Sequence, residues 1–239
     1  MTLFFITGTS RGIGKALAEQ LLSIETNLVY GFSRTCTIEG SNYKHVFIDL
    51  SKMDEVKELY LPRHSEAERV VLVNNAGMLG EAKPFGRTDP NTIVDTLTLN
   101  TITPMLLTHK LLESYSGSHV PVLVVNISSG AARHPIESWA TYCASKAAID
   151  MFSQVVQAEN GYDINGTLRV FSVAPGIVDT DMQTSIRSSK PEDFPHLDKF
   201  VGYKEKGQLL PPEEAARRLI EIINRPSAHQ NVLLDVRQL

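Results

Sequence analysis

Residues 138–148 read SWATYCASKAA, which sets Tyr142 and Lys146 four positions apart. On a helix, residues at that spacing are neighbours on one face. A free phenol has a pKa of about 10 and exchanges protons poorly at neutral pH. A neighbouring ammonium favours the phenolate and brings exchange within reach. The spacing therefore describes an acid–base pair, and equally describes an ordinary surface contact of a helix. Upstream, VVNISSGAA at 124–132 is an apolar run that ends in Ser128 and Ser129. A hydroxyl at the end of a buried strand can hydrogen-bond a substrate carbonyl oxygen, or it can merely close a turn. VNNAG at 73–77, where side-chain amides and a glycine follow another apolar run, has the same two readings.

A second group of residues concerns a cofactor. TGTSRGIG at 7–14 follows Leu3-Phe4-Phe5-Ile6 and spaces its glycines as Gly8-x-x-x-Gly12-x-Gly14 rather than G-x-G-x-x-G. Gly8 and Gly12 allow backbone angles that a side chain forbids, and Gly14 lets a following helix pack close to the sheet or to a nucleotide. The loop can thus serve as a dinucleotide fingerprint over a longer arc, and by itself it also describes a plain strand-to-helix connection. Position 34 adds a signal. About 20 residues past the glycines, NAD users place an acid on the ribose 2′-hydroxyl, whereas an arginine accommodates a 2′-phosphate. Here that position is Arg34, in GFSRT, and Arg11 inside the glycine loop reaches the same side. The two arginines point to NADPH.

The elements that must carry these residues follow from the hydropathy pattern. Apolar runs at 3–7, 28–32, 45–49, 70–74, 120–127, 168–173 and 232–236 predict strands buried on both faces. Helical patterns lie between them at 13–22, 53–60, 92–114 in one or two pieces, 142–160 and 213–224. Strand alternating with helix predicts an α/β fold: a doubly wound parallel sheet of the Rossmann type, about seven strands with helices on both faces, in a single domain over 1–239. Residues 176–208 interrupt the alternation beyond a strand's C-terminal end, where ligands of open parallel sheets bind, and are expected to form a lid over the substrate. The helix at 142–160 carries Ala144, Ala147, Ala148, Met151, Phe152, Val155 and Val156 on more than one face, which suits burial or the seam of a homodimer.

Composition narrows the partners. With 23 basic against 27 acidic residues, a net charge of −4, the chain has no electrostatic footprint for nucleic acid or an anionic membrane. No run approaches the roughly 18 to 20 apolar residues of a membrane span. Cys36 and Cys143 form neither a disulfide framework nor a metal-ligand pattern, and the seven histidines are scattered. A cytoplasmic protein without a metal is expected.

Taken in order, TGTSRGIG, NNAG, Asn100, NISS, YCASK and APG resemble the short-chain dehydrogenase/reductase family over essentially the whole chain. The resemblance implies that Tyr142 gives a proton to a carbonyl. It makes Lys146 the group that lowers the phenol's pKa and binds the nicotinamide ribose. Ser129, thirteen residues before Tyr142, would polarise the substrate oxygen, and Asn100 would hold a water in the proton relay. The implied cofactor contacts are Gly8, Ser10, Arg11, Gly12, Ile13 and Gly14 in the first loop, Arg34, and Asp49 at the adenine. Asn75, Ala76 and Gly77 would lie beneath the cofactor, with Pro175, Gly176, Val178 and Thr180 on the nicotinamide side.

ESWATYCASKAAIDMFSQ and PGIVDTDMQTSIRSS resemble the branch that holds sepiapterin reductases and benzil reductases, and RSSKPEDFPHLDKF with KEKGQLLPPEE is most similar to the benzil reductase type. The implied function is an NADPH-dependent carbonyl reductase acting on a small molecule, either a 1,2-diketone or the side-chain carbonyl of a pteridine. Asp235 stands where sepiapterin reductases anchor the pteridine. A non-catalytic NADP(H)-binding redox sensor would lack the Tyr/Lys pair, and a sugar-nucleotide epimerase would need a longer C-terminal substrate domain.

Overall fold

Successive residues of a strand leave the backbone on opposite faces, and in this chain both sets are apolar. Leu3 and Phe5 of the first strand enter one hydrophobic layer, Phe4 and Ile6 the other. A sheet so built must be covered twice. The computed structural model describes residues 1–159 and 167–238. Its strands are β1 (Thr2–Thr7), β2 (Asn27–Ser33), β3 (Tyr43–Phe47), β4 (Arg69–Asn74), β5 (Val122–Ile127), β6 (Leu168–Ala174) and β7 (Leu233–Asp235), all paired in parallel. The helices are α1 (Gly12–Leu22), α2 (Met53–Glu58), α3 (Pro90–Leu97), α4 (Thr103–Tyr115), α5 (Ala140–Ala158), α6 (Asp181–Arg187), α7 (Leu197–Glu205) and α8 (Pro212–Asn224). Leu17 and Leu21 of α1 with Leu219 and Ile223 of α8 cover one face. Leu107, Leu111 and Tyr115 of α4 with Val156 of α5 cover the other.

The spatial order β3-β2-β1-β4-β5-β6-β7 makes this a doubly wound Rossmann-type sheet. The winding reverses between β1 and β4, so the loops leaving their carboxyl ends part and open a crevice. The glycine loop leaves β1 there and NNAG leaves β4.

Three details depart from the sequence reading. The third strand is Tyr43–Phe47 instead of 45–49, because the Asp49 carboxylate accepts bonds from the Ser51 amide (3.0 Å) and hydroxyl (2.7 Å) and so starts a turn. The fifth helix begins at Ala140, two residues early, and its expected last residue, Asn160, lies outside the described residues. Residues 176–208, read as a loop that closes as a lid, contain α6 and α7, whose Ile186 and Phe200 pack with Phe194, Trp139 and Tyr142 in a small core of their own. None of the described helices is long and apolar enough to cross a membrane.

Candidate active site

Gly8 (φ +74°) and Gly12 (φ +58°) adopt left-handed backbone angles, as the tight arc from β1 into α1 requires. Gly14 answers a different demand. A Cβ there would stand 2.4 Å from Nδ2 of Asn75 and 2.4 Å from the Gly8 carbonyl oxygen, so its immediate neighbour is the segment after β4. Asn75 is a brace across the crevice. Its Nδ2 donates to the Thr7 carbonyl at 2.9 Å, while the Thr7 hydroxyl accepts from the amides of Asn75 and Ala76, both at 2.9 Å. At the start of α1, Arg11 makes no side-chain capping bond, and Gly12 and Ile13 line the cleft. Uncapped N–H groups at a helix start, behind a glycine arc, suit a pyrophosphate, and on this observation the residues present fit a dinucleotide.

The two arginines separate. Arg11 donates to Asp181 at 2.6 Å, tying the start of α1 to the start of α6. Arg34 lines the cleft with no ion pair among the described residues. Asp49 lines the same wall. Burial pushes its carboxyl up, but the bonds from Ser51 and the charges of Arg34 and Lys52 outweigh this and hold it below the usual range.

The residues expected to carry the chemistry gather where β5 ends beside α5. Lys146, 5% exposed, donates to the Ile127 carbonyl at 2.8 Å, and its Nζ lies 5.8 Å from the centre of the Tyr142 ring. By spacing alone, the ammonium of Lys146 is expected to lower the phenol of Tyr142. In the structure burial prevails: it pushes Tyr142 up to about 12 against an opposing hydrogen bond with Ser129. Burial also brings Lys146 down to about 8, against the charge of Asp150. At neutral pH Tyr142 is therefore a protonated phenol next to Ser129. The Ser129 hydroxyl accepts from the Ala131 amide at 3.2 Å. The two serines have different tasks, since Ser128 donates to Asp150 at 2.6 Å.

Asn100 sits in a π turn, Thr98–Ile102, between α3 and α4. Its Oδ1 accepts from the Met78 amide at 2.9 Å, and its Nδ2 donates to the Met78 carbonyl (2.8 Å) and to the Ser145 hydroxyl (3.0 Å). The side chain thus clips the loop after β4 to α5. Such π turns recur at functional sites.

Sequence reasoning missed Asp150 and Trp139. Asp150 is buried one helical turn beyond Lys146 and accepts from Ser128, from Ser172 (2.7 Å) and from Nε of Arg133 (3.0 Å). The signal was present: Tyr142, Lys146 and Asp150 form a polar stripe at i, i+4, i+8. Trp139 stacks on Phe194 (centroids 5.4 Å, 10° between planes) and meets Tyr142 edge-on at 5.7 Å.

These walls enclose a cleft of about 1080 Å³. It is lined by Gly8, Ser10, Arg11, Gly12, Ile13, Arg34, Asp49, Asn75, Ala76 and Gly77 on the crevice side, and by Ser129, Tyr142, Lys146, Pro175, Gly176, Val178 and Thr180 further along. Of the residues read from the sequence, Gly14, Asn100 and Asp235 are not in the lining. Asp235, expected to face a substrate, is buried at the end of β7 and bound by Arg237, through Nε at 2.9 Å and Nη2 at 2.5 Å. Arg237 itself lines the cleft.

A crevice at the switch point that suits a dinucleotide and opens onto a buried phenol matches the layout of a nicotinamide-dependent oxidoreductase. The chain belongs to the short-chain dehydrogenase/reductase family. The family model described as short chain dehydrogenase matches residues 2–191. A benzil reductase, (S)-benzoin forming, from Bacillus cereus is 32% identical over 99% of each chain. A sepiapterin reductase from Bos taurus is 32% identical over 98% of this chain and 94% of that one. The solved structure of a short-chain dehydrogenase/reductase from Saccharomyces cerevisiae superposes with a TM-score of 0.84 at 27% identity, covering 99% of this chain and 96% of that one. The protein is accordingly an oxidoreductase of a family that uses NAD(P)(H).

Proposed function

We propose that the protein is an NADPH-dependent carbonyl reductase whose substrate is a 1,2-diketone. The observation that carries this reading is the buried Tyr142, with Lys146 and Ser129 beside it, where the cleft meets the carboxyl end of the sheet. A dihydronicotinamide cofactor, which the glycine loop, Asn75 and the segment 175–180 would hold, would supply the hydride for the carbonyl carbon. Tyr142 gives its proton to the carbonyl oxygen, which Ser129 hydrogen-bonds as negative charge develops there. The ammonium of Lys146 then lies beside the phenolate left behind and stabilises it. Asn100 holds the loop after β4 against α5, which fixes the distance between cofactor wall and acid. Arg34, open to the cleft, supports the choice of NADPH. A diketone is favoured over a pteridine because the Asp235 carboxylate, which would accept from pteridine N–H groups, is taken up by Arg237.

On α5, Met151 is 61% exposed and Val155 is exposed beside it, and we read this face as the seam of a homodimer, which sedimentation equilibrium would test.

The functional test is steady-state oxidation of NADPH and of NADH with benzil and with sepiapterin. Wild type should prefer NADPH and benzil. Tyr142→Phe keeps the ring packing and removes the transferable proton, so kcat should fall by about 10²–10⁴ with cofactor affinity little changed. Near-normal turnover of that variant overturns the mechanism.

A further inference from the structure

Ring contacts lead away from the reacting phenol. Tyr142 meets Trp139 at 5.7 Å, Trp139 meets Phe200 at 5.2 Å, and Phe200 meets Tyr203 edge-on at 5.7 Å. All four residues line the cleft, so they form an aromatic wall with the proton donor at one end. At the far end stand two cations. Lys199 places Nζ 6.0 Å from the Tyr203 ring centre, and Arg237 is close enough to the Tyr203 phenol to interact with it electrostatically.

The guanidinium of Arg237 is aimed by what lies under it. Asp235, whose side chain is 8% exposed, accepts from the Arg237 amide at 2.9 Å and from Nε and Nη2, whereas the Arg237 side chain is 59% exposed. A guanidinium has five N–H donors. Asp235 engages two of them, leaving three for a ligand. The stem lies along Gly176, where an added Cβ would come within 3.6 Å of Arg237 Cγ. Lys199 makes no ion pair among the described residues. The carboxylates that line the cleft come from other walls: Asp49 after β3, Asp95 on α3, and Asp181 held by Arg11.

We infer that Arg237 and Lys199 bind a carboxylate on the substrate, so that the preferred substrate is a flat, apolar carbonyl compound carrying an anionic group away from the carbonyl that is reduced. This rests on the carbonyl reductase reading and narrows it. The bidentate geometry of a guanidinium matches a carboxylate, and the aromatic wall accepts the apolar body between the two poles.

Trp139 is the chain's single tryptophan, so its fluorescence reports occupation of this wall without any turnover. We would titrate the protein, with NADP⁺ present, with naphthalene-2-carboxylate and with naphthalene-2-carboxamide, which differ in charge and hardly in shape. The carboxylate should bind about tenfold tighter or more, the scale of a charge-assisted hydrogen bond, and the advantage should shrink in high salt. Arg237→Leu alone would leave Asp235 buried and unpaired, so it is paired with Asp235→Asn. In that double variant the ratio should fall to about two or below. Lys199→Met, on the exposed side of α7, should lower it about threefold without disturbing the fold. Equal binding of the two probes to wild type, or a ratio unchanged in both variants, overturns the inference. Since no step of the titration involves hydride transfer, failure here is distinct from failure of the reductase reading, which NADPH oxidation decides.

Discussion

Replacing Lys146 by methionine should destroy activity and yet make the folded protein more stable. The side chain is 5% exposed, and its pKa falls from 10.5 to about 8 on folding, because burial disfavours the ammonium more than the charge of Asp150 favours it. A shift of one unit corresponds to 1.36 kcal/mol, so at pH 7 the buried charge costs the folded state roughly 3 kcal/mol. Methionine fills similar space without charge. It forfeits the charge-assisted bond to the Ile127 carbonyl, a loss of about 1.5–2 kcal/mol. The variant should therefore be about 1–1.5 kcal/mol more stable at neutral pH. The sign with pH follows from the depressed folded pKa. Between about 8 and 10.5 the unfolded chain binds more protons at this site than the folded one, so the lysine's penalty fades as pH rises through that window and is fully present below it. Urea denaturation of both proteins from pH 6.5 to 10.5 reads the difference directly, and other titrating groups cancel in the comparison. A variant less stable than wild type at pH 7, or a difference that does not change across the window, would refute the reasoning.

Two further substitutions test the scaffold. Gly14→Ala drives a methyl into Asn75 Nδ2 and the Gly8 carbonyl, each 2.4 Å from the new Cβ, and should cost about 1–3 kcal/mol while raising KM for the nicotinamide cofactor; an unaltered melting temperature and KM would show that the brace gives way freely. Asp150→Ala removes the acceptor shared by Ser128, Ser172 and Arg133 and should cost about 2–4 kcal/mol in urea denaturation, the lower end applying because Arg133 is partly solvated. It should also lower the pKa of Lys146 further, moving any activity limb that depends on the ammonium to lower pH; a loss under about 0.5 kcal/mol with an unmoved pH profile would exclude Asp150 as the holder of this corner.

The chain itself determined the doubly wound sheet and the pairing of Tyr142 with Lys146, for local reasons. Runs such as Leu3–Ile6 and Val122–Val125 are apolar without alternation, which only a strand covered on both faces requires. The interval of four between Tyr142 and Lys146 sets them on one side of any helix, wherever that helix packs. What the tertiary structure decided depends on residues far apart in sequence. Whether the ammonium or burial governs Tyr142 turns on Trp139, Phe194 and Ile186 closing around it, and burial won. Gly14 meets Asn75 only because β1 and β4 are neighbours at the switch point, and Arg11 meets Asp181 only because α6 folds back over the glycine loop. The C-terminal pair shows the limit most clearly. Asp235 and Arg237 are two residues apart, a strand spacing that would set both on one face of the sheet. Instead β7 ends at Asp235 and the chain enters a 3₁₀ turn over Val236–Gln238. The turn brings the arginine back over the carboxylate, burying the acid and leaving the base at the cleft. Which of the two charges faces the cleft is set by that single turn of backbone, whose sense no local pattern of residue types records.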